Sequence, residues 1–381
     1  MSNNKRILHF IESGGLYGAE RVILNLSQQL QNDTGYEPVV GCIVDSPESD
    51  SDLFNAAQAA GITAVKIPIP NAKLITAIPK AAKQLRQMQI GLIHSHGYKP
   101  SVFGFMIHLL TGIPIIATCH LWFQPSKGPL KTRVMIRLEK FFYRWFPKII
   151  AVSEPIKDIL LASNLPADRV AVIRNGVDVP PPTTPNELLK LREQLGIGEN
   201  DFCVLNSARL APQKAQWVLI QAAAILKTQG EHVKIFIVGE GSLAGELAQQ
   251  ITEVNVADYV SLLGFRSDIN HLLALSNVFA LPSIDEGMPM SLLEAAAAQK
   301  PIISTLVGDI GKLIKDKETG MVIPTNNPHA LAEAIIELKN NPLLTHSIAI
   351  QAHAKLIADY SSQAMCASYL PIYNQLLNHN H

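Results

Sequence analysis

The chain has 381 residues, 48% of them hydrophobic and 17% charged; at ~150 residues per domain this predicts two domains and excludes a disordered or collagen-like chain. Net charge is zero, which argues against a general nucleic-acid binder. The zero conceals a split: residues 1–180 hold 19 Lys+Arg against 13 Asp+Glu, the remainder holds 13 against 19, and Leu53 to Leu138 contains ten basic residues and no acid, so the first half is expected to face something anionic.

The opening alternates strand and helix. RILHFIES is a short apolar run, and Val22, Ile23, Leu26 and Leu30 then recur at helical spacing. VVGCIVD predicts a strand, DLFNAAQAAG a helix, and TAVKIPI and IGLIHSH two strands with a helix between them. Ser101 to Gln124 carries no charged side chain and is long enough to span a bilayer. His108, Gly112, Pro114 and His120 interrupt it, so a helix (VFGFMIHLL), a TG turn and a buried strand (IPIIATC) explain it better. KIIAVS is a further strand. Strands without clean alternation, separated by helices, predict a parallel sheet covered on both faces.

Val179 to Pro185 holds four prolines, which exclude core helix and central strand. This predicts a first domain over 1–179, a linker over 180–200 and a second domain over 201–360. CVLNSA, KIFIVGEG, YVSLLG, VFALPS and PIISTL give the second domain its own strand–helix series. The tail from Pro328 reads as mostly helical, with 361–381 as a helix packing back on the first domain. Four scattered cysteines (Cys42, Cys119, Cys203, Cys366) show no CxxC; neither a disulfide framework nor a zinc knuckle is indicated, and a reducing cytoplasm is the natural setting.

Several segments carry candidate chemistry. Ser13-Gly14-Gly15-Leu16-Tyr17-Gly18 joins the first strand to the first helix. Gly15 lets a backbone approach a phosphate at a helix amino end; a tight turn is the plain alternative, and the spacing is not that of a dinucleotide fingerprint. His94 and His96 have period-two spacing on a strand and are metal ligands in principle, but no carboxylate lies near them in sequence. Hydrogen-bonded histidines at strand ends are the favoured reading. His120, beside Leu121 and Trp122 in a loop, is the better functional candidate. Asp50-Ser51-Asp52 lies in a polar stretch before a helix and reads as an N-capping turn, not a metal site. Arg209 and Lys214 sit on a strand-to-helix loop, where two cations suit a pyrophosphate; a solvated pair of loop charges is the plain alternative. Glu286 lies in the loop after VFALPS, and Glu294 on the helix beginning near Met290 or Ser291. That helix offers its amino end to whatever Glu286 touches, although Glu294 also reads as a first-turn dipole partner. Lys127 to Lys148 holds seven basic residues against the single acid Glu139, with aromatics interleaved. There Val134, Leu138, Phe141, Phe142 and Trp145 form either a buried stripe or a surface for an anionic membrane.

With these residues in place, the chain resembles the retaining glycosyltransferases of family 4. The matching pieces are GGLYGAE, TCH at 118–120, VSE at 152–154, RNGVD at 174–178, SARLAPQK, VGEGSL, LLGFRSDI and EGMPMSLLE with its E-x7-E spacing, in order from about residue 7 to 325. The resemblance implies an α/β protein of GT-B fold: two doubly wound parallel-sheet, Rossmann-like domains facing a central cleft, the first on the acceptor side and the second binding the donor. It implies hexosyl-type transfer, with retention, from a nucleotide diphosphate sugar to a sugar or lipid-linked acceptor in cell-surface polysaccharide or glycolipid synthesis. Neither metal nor cofactor is implied, and no nucleic-acid partner. By motif position, Arg209 and Lys214 bind the diphosphate, Glu286 the donor sugar and Glu294 the ribose. Gly15 approaches the diphosphate, His120 reaches the sugar, the backbone near Arg266 meets the base, and Met290 and Ser291 lie at the donor. The run Val307-Gly308-Asp309-Ile310-Gly311-Lys312 departs from the usual Val-Gly-Gly and Pro-Glu, which bears on how that loop closes. Location at the cytoplasmic face of the membrane is the accompanying expectation. Other readings of the same residues are a nucleotide-sugar epimerase of this fold, a nucleotide-sugar-binding protein without turnover, and a membrane scaffold.

Overall fold

The structure, a computed structural model, describes residues 5–16, 18–70, 73–120 and 130–378, without the side chains of residues 33, 130–133, 135 and 136. The chain divides into two compact units, Met1–Gly176 with Ser362–His381, and Val177–Ser361.

The first unit runs β1 (Arg6–Ile11), α1 (Gly18–Asp33), β2 (Glu37–Val44), α2 (Asp52–Ala59), β3 (Thr63–Pro68), α3 (Leu74–Gln87), β4 (Ile90–His96), α4 (Tyr98–Thr111), β5 (Ile115–Cys119), α5 (Leu130–Tyr143), β6 (Ile149–Ala151), α6 (Glu154–Leu161) and β7 (Val170–Val172). Its seven strands are all parallel in the order β3-β2-β1-β4-β5-β6-β7. The order reverses between β1 and β4, the position at which doubly wound sheets hold ligands beyond their strand ends. Beyond Arg6 every residue of β1 is buried, because helices cover both faces. The helical stripe of α1 (Val22, Ile23, Leu26, Leu30) is buried as its spacing predicts. Gly112, left-handed at φ 74°, closes α4. Ser51 caps α2 by accepting from the Phe54 amide, so Asp50-Ser51-Asp52 is a helix cap. Among the described residues no helix is long and apolar enough to cross a membrane.

The second unit runs α7 (Pro185–Gln194), β8 (Phe202–Ser207), α8 (Trp217–Thr228), β9 (Val233–Val238), α9 (Ala244–Glu253), β10 (Val260–Gly264), α10 (Ile269–Leu275), β11 (Val278–Leu281), α11 (Met290–Ala297), β12 (Ile302–Ser304), β13 (Met321–Val322), α12 (Pro328–Asn340) and α13 (Pro342–Tyr360). Its six parallel strands are ordered β10-β9-β8-β11-β12-β13, with the reversal between β8 and β11. Residues 180–200, expected as a linker, hold α7 instead. Thr184 and Glu187 close a capping box around Pro185, and Leu191 enters the core of this unit.

The final helix, α14 (Ser362–Asn378), belongs to the first unit. It packs on α1 and β4 and buries Met365, Cys366, Tyr369 and Tyr373. All four cysteines are free and buried.

Candidate functional site

At the reversal point of the second sheet, five loops close on one another. The Ala208 amide donates to Val238 O, the Leu210 amide to Glu240 O and the Gly239 amide to Gly264 O, which stacks the loops after β8, β9 and β10. A Cβ at Gly239 (φ +137°) would lie 2.1 Å from Ala208 O, so only glycine permits this approach. The Ile284 amide donates to Gln213 O, joining the β11 loop to the β8 loop.

Those links bring Lys214 and Glu286, 72 residues apart, into contact. Lys214 Nζ lies 2.5 Å from Glu286 Oε1, with side chains 16% and 8% exposed. Ser283 Oγ donates to the same oxygen at 2.7 Å. Glu286 is thus fixed from two directions. Arg209 is exposed, and among the described residues no hydrogen bond or ion pair engages its guanidinium. Gln216, fully buried, holds the Arg209 carbonyl at 3.0 Å. Beside them α11 starts at Pro289 with no side-chain cap, which leaves its first amides and positive dipole end available to an anion or a hydroxyl. Met290 and Ser291 form that first turn, and Glu294 follows on the helix, half-buried. Arg266 lies in the β10 loop, its guanidinium paired with both Asp268 oxygens at 2.7 and 2.5 Å. The pairing holds the Arg266 side chain against its own loop.

The departing loop is well anchored. Gly308 has φ +56°, and a Cβ there would sit 2.0 Å from Glu286 O. The Asp309 amide donates to Gly287 O, and the buried Asp309 carboxylate meets Lys312 Nζ at 2.9 Å. The residues that break the family pattern therefore pair with each other and back the Glu286 loop. Ser283 and the Asp309–Lys312 pair were not legible as site residues. Their only sequence cue is proximity to Glu286 and to the anomalous loop.

In the first unit, Gly15 lies in the loop after β1. Its amide donates to Ser13 Oγ, which donates in turn to Gly15 O. Tyr17 of this motif lies outside the described residues. His94 is fully buried within β4, with Nδ1 2.7 Å from Tyr373 Oη and Nε2 2.7 Å from Thr118 Oγ1. His96 shares its face, and sheet register adds His9, opposite His94. Ring nitrogens of these three lie within 4.8 Å of one another, a spacing compatible with a metal ion. Both His94 nitrogens are already taken, however, and the group contains no carboxylate to offset a dication. His9 is not legible from the sequence, because a lone histidine in an apolar strand reveals nothing until β1 is known to lie beside β4. His120 continues the line, its Nε2 2.9 Å from His96 Nδ1.

On α5 the structure does not bear out the buried-stripe reading of the apolar residues. Val134, Leu138, Phe141 and Trp145 are 40–51% exposed. The buried face is instead Glu139 and Tyr143, joined by a 2.6 Å hydrogen bond from the tyrosine, with Phe142 packed against the core. Arg137, Lys140, Phe141 and Arg144 line a depression of about 390 Å³ with Ser163 and Asn164. Trp122, Phe123 and Lys127 lie outside the described residues.

Fold and site together define a two-unit α/β protein whose second unit gathers the cations Arg209 and Lys214, a fixed carboxylate and open helix amides at one sheet edge. Residues 17–180 match the family model described as Glycosyltransferase Family 4, and residues 189–355 that described as Glycosyl transferases group 1. The chain belongs to this glycosyltransferase family and has the GT-B fold. It is 28% identical over 337 residues, 86% of each chain, to the UDP-Gal:alpha-D-GlcNAc-diphosphoundecaprenol alpha-1,3-galactosyltransferase of Escherichia coli. It is 30% identical over 266 residues, 68% of each chain, to an uncharacterized glycosyltransferase of Methanocaldococcus jannaschii. Among solved structures, Anabaena HepE in complex with UDP-glucose superposes with a TM-score of 0.82 at 24% identity, covering 97% of this chain and 99% of that one.

Proposed function

We propose that this glycosyltransferase moves a hexose, with retention of anomeric configuration and without a metal ion, from a nucleotide diphosphate sugar to a lipid-linked or polysaccharide acceptor. The observation that carries the reading is the Lys214–Glu286–Ser283 contact beside the uncapped start of α11 and Arg209, whose guanidinium has no partner among the described residues. Breaking the anomeric C–O bond places negative charge on the leaving diphosphate and positive charge on the sugar. Arg209, Lys214 and the α11 amides meet the first by fixed electrostatics. Glu286 takes the sugar hydroxyls and Glu294 the ribose, with the base against the backbone near Arg266. Gly15 and His120 keep the diphosphate and sugar roles of their motif positions. The leaving phosphate oxygen accepts the acceptor's proton as attack occurs on the same face. The E. coli relative's name states UDP-galactose and a diphosphoundecaprenol acceptor, and HepE was solved with UDP-glucose; both support a UDP-hexose donor.

The test is a thermal-shift screen of UDP-, GDP- and ADP-sugars, followed by transfer assays with and without EDTA. One nucleotide series should stabilise the protein, transfer should persist in EDTA, and the product's anomeric proton should show the donor's configuration. Loss of transfer in EDTA with recovery in magnesium or manganese would overturn metal independence. An inverted product would overturn retention. Binding or sugar isomerisation without transfer would support the two rival readings.

The outward-facing stripe of α5 supports an acceptor met at an anionic membrane surface. Exposed aromatics beside Arg137, Lys140 and Arg144 suit an interfacial helix, each cation worth ~1 kcal/mol near such a leaflet, screened by salt. Wild type should co-sediment with anionic vesicles and lose most of that binding when Arg137 and Arg144 are changed to Glu. Equal binding to neutral vesicles would remove the membrane surface and leave the transferase reading intact.

A further inference from the structure

The loop after β12 grips the Glu286 loop on both sides of Glu286. Upstream, Ser304 Oγ donates to Leu281 O at 3.0 Å and Thr305 Oγ1 to Ser283 O at 2.6 Å, so the serine that donates to Glu286 Oε1 is itself tied down. Downstream, the Asp309 amide donates to Gly287 O at 2.9 Å. Between these ties Gly308 lies so close to the Glu286 backbone that a Cβ would stand 2.0 Å from Glu286 O and 2.8 Å from Gly287 O. Ser283, Ser304 and Thr305 have no exposed surface, so these bonds are made away from solvent.

Of these ties, the one at Asp309 depends on charge. Its carboxylate is buried, at 5% side-chain exposure, and meets Lys312 Nζ at 2.9 Å; among the described residues it makes no other ion pair. The Lys312 amide donates to Asp309 O in the same turn, and Ile310 and Leu313 anchor that turn in the core of the second unit. A buried carboxylate without a partner is costly. Losing the Lys312 ammonium would therefore draw Asp309 toward water, and with it the amide that holds Gly287. The two residues also depart from the family pattern together and with opposite charge: Asp where the resemblance expects Gly, Lys where it expects Glu. A pair that served stability alone would make the same contacts, but its loss would not act selectively through Glu286.

We propose that Asp309 and Lys312 are positioning residues for Glu286: their ion pair locks the Gly308–Asp309 turn against Glu286 and Gly287, and so fixes where the carboxylate that meets the donor sugar stands. This rests on the reading that gives Glu286 that sugar. It adds what holds Glu286 from behind, and a reason for the two departures to occur together.

The experiment compares Lys312→Met and Lys312→Arg with wild type as full chains, by donor turnover, calorimetric binding of UDP, and hydrogen exchange read by mass spectrometry. In Lys312→Met, peptides over residues 283–289 and 305–313 should exchange faster, with the rest of the second unit unchanged. Turnover should fall about 10–100-fold, the cost of misplacing a contact at the reacting centre by ~1 Å. Affinity for UDP, which the same reading assigns to Arg209, Lys214, Glu294 and the α11 amides, should hold. Lys312→Arg should behave as wild type. Adding Lys312→Met to Glu286→Gln should cause no further loss of the residual turnover. Wild-type exchange over residues 283–289 in Lys312→Met would overturn the proposal, as would a further loss in the Glu286→Gln background. Equal losses of UDP affinity and turnover would show that the pair supports the whole unit and not Glu286 in particular. A Lys312→Arg variant as slow as Lys312→Met would remove the charge as the cause. Wild-type turnover in Glu286→Gln would instead overturn the sugar assignment, while the exchange pattern reports on the turn independently of transfer.

Discussion

Arg209→Ala should lower kcat by roughly 10²–10³ without changing the melting temperature. Arg209 is exposed, and among the described residues no hydrogen bond or ion pair ties its guanidinium to the fold, so its removal costs little stability; surface substitutions of this kind usually fall within ~0.5 kcal/mol. The loss of one fixed positive group from developing phosphate charge carries the rate effect. Lys214→Ala should differ in kind, because Lys214 is also the partner of Glu286. Its removal leaves a nearly buried carboxylate held only by Ser283. Breaking a buried pair from one side costs ~3 kcal/mol, about 6–12 °C for a unit of this size. A Lys214→Met, Glu286→Gln double variant should regain most of that stability and none of the turnover. Steady-state kinetics and thermal melts on the same preparations check all three. Near wild-type kcat in both single variants would end the diphosphate assignment, and an unchanged melt in Lys214→Ala would mean that the ion pair does not hold the Glu286 loop.

The difference between these cations was not legible in the sequence. Arg209 and Lys214 announce themselves because both follow a buried strand and precede an apolar helix, which places them at a sheet edge. That Lys214 meets Glu286 depends on β8 lying next to β11 across the reversal of strand order, a long-range pairing that local periodicity does not encode. The long strands were readable as unbroken apolar runs. β7 and β13, three and two residues long, carry too little pattern to register. The prolines at 180–182 masked the start of α7, although Thr184-Pro185-Asn186-Glu187 has the spacing of a capping box. On α5 the helical period was correct but the choice of buried face was not available locally. The inward face carries Glu139, which accepts from Tyr143 and from Ser101 of α4, and Tyr143, which lies in the core; these long-range partners are not visible in the local pattern.

Ending the chain at Ser361 should unfold the first unit while leaving the second folded. The helix removed, α14, buries Met365, Cys366, Tyr369, Ile372 and Tyr373 to 9% exposure or less. Burial of a large apolar side chain contributes ~1.5–3 kcal/mol, so the lost contacts approach the 5–15 kcal/mol that typically holds a whole domain together. Removal also strips polar partners from the sheet: Tyr373 Oη from His94, Tyr369 Oη from Thr118 and Asn374 Oδ1 from Tyr36. Unpaired buried polar groups add a further ~1–3 kcal/mol each. The second unit, Val177–Ser361, loses none of its own residues. Limited proteolysis read by mass spectrometry should therefore show cleavage throughout residues 5–176 and protection of residues 177–361. Point variants separate the contributions. Tyr373→Phe keeps the ring and loses the hydrogen bond to His94, an expected cost of ~1 kcal/mol. Tyr373→Ala empties a fully buried site and should cost ~3 kcal/mol or more. A chain ending at Ser361 that melts like wild type and resists protease over 5–176 would show that α14 covers the sheet without holding it together.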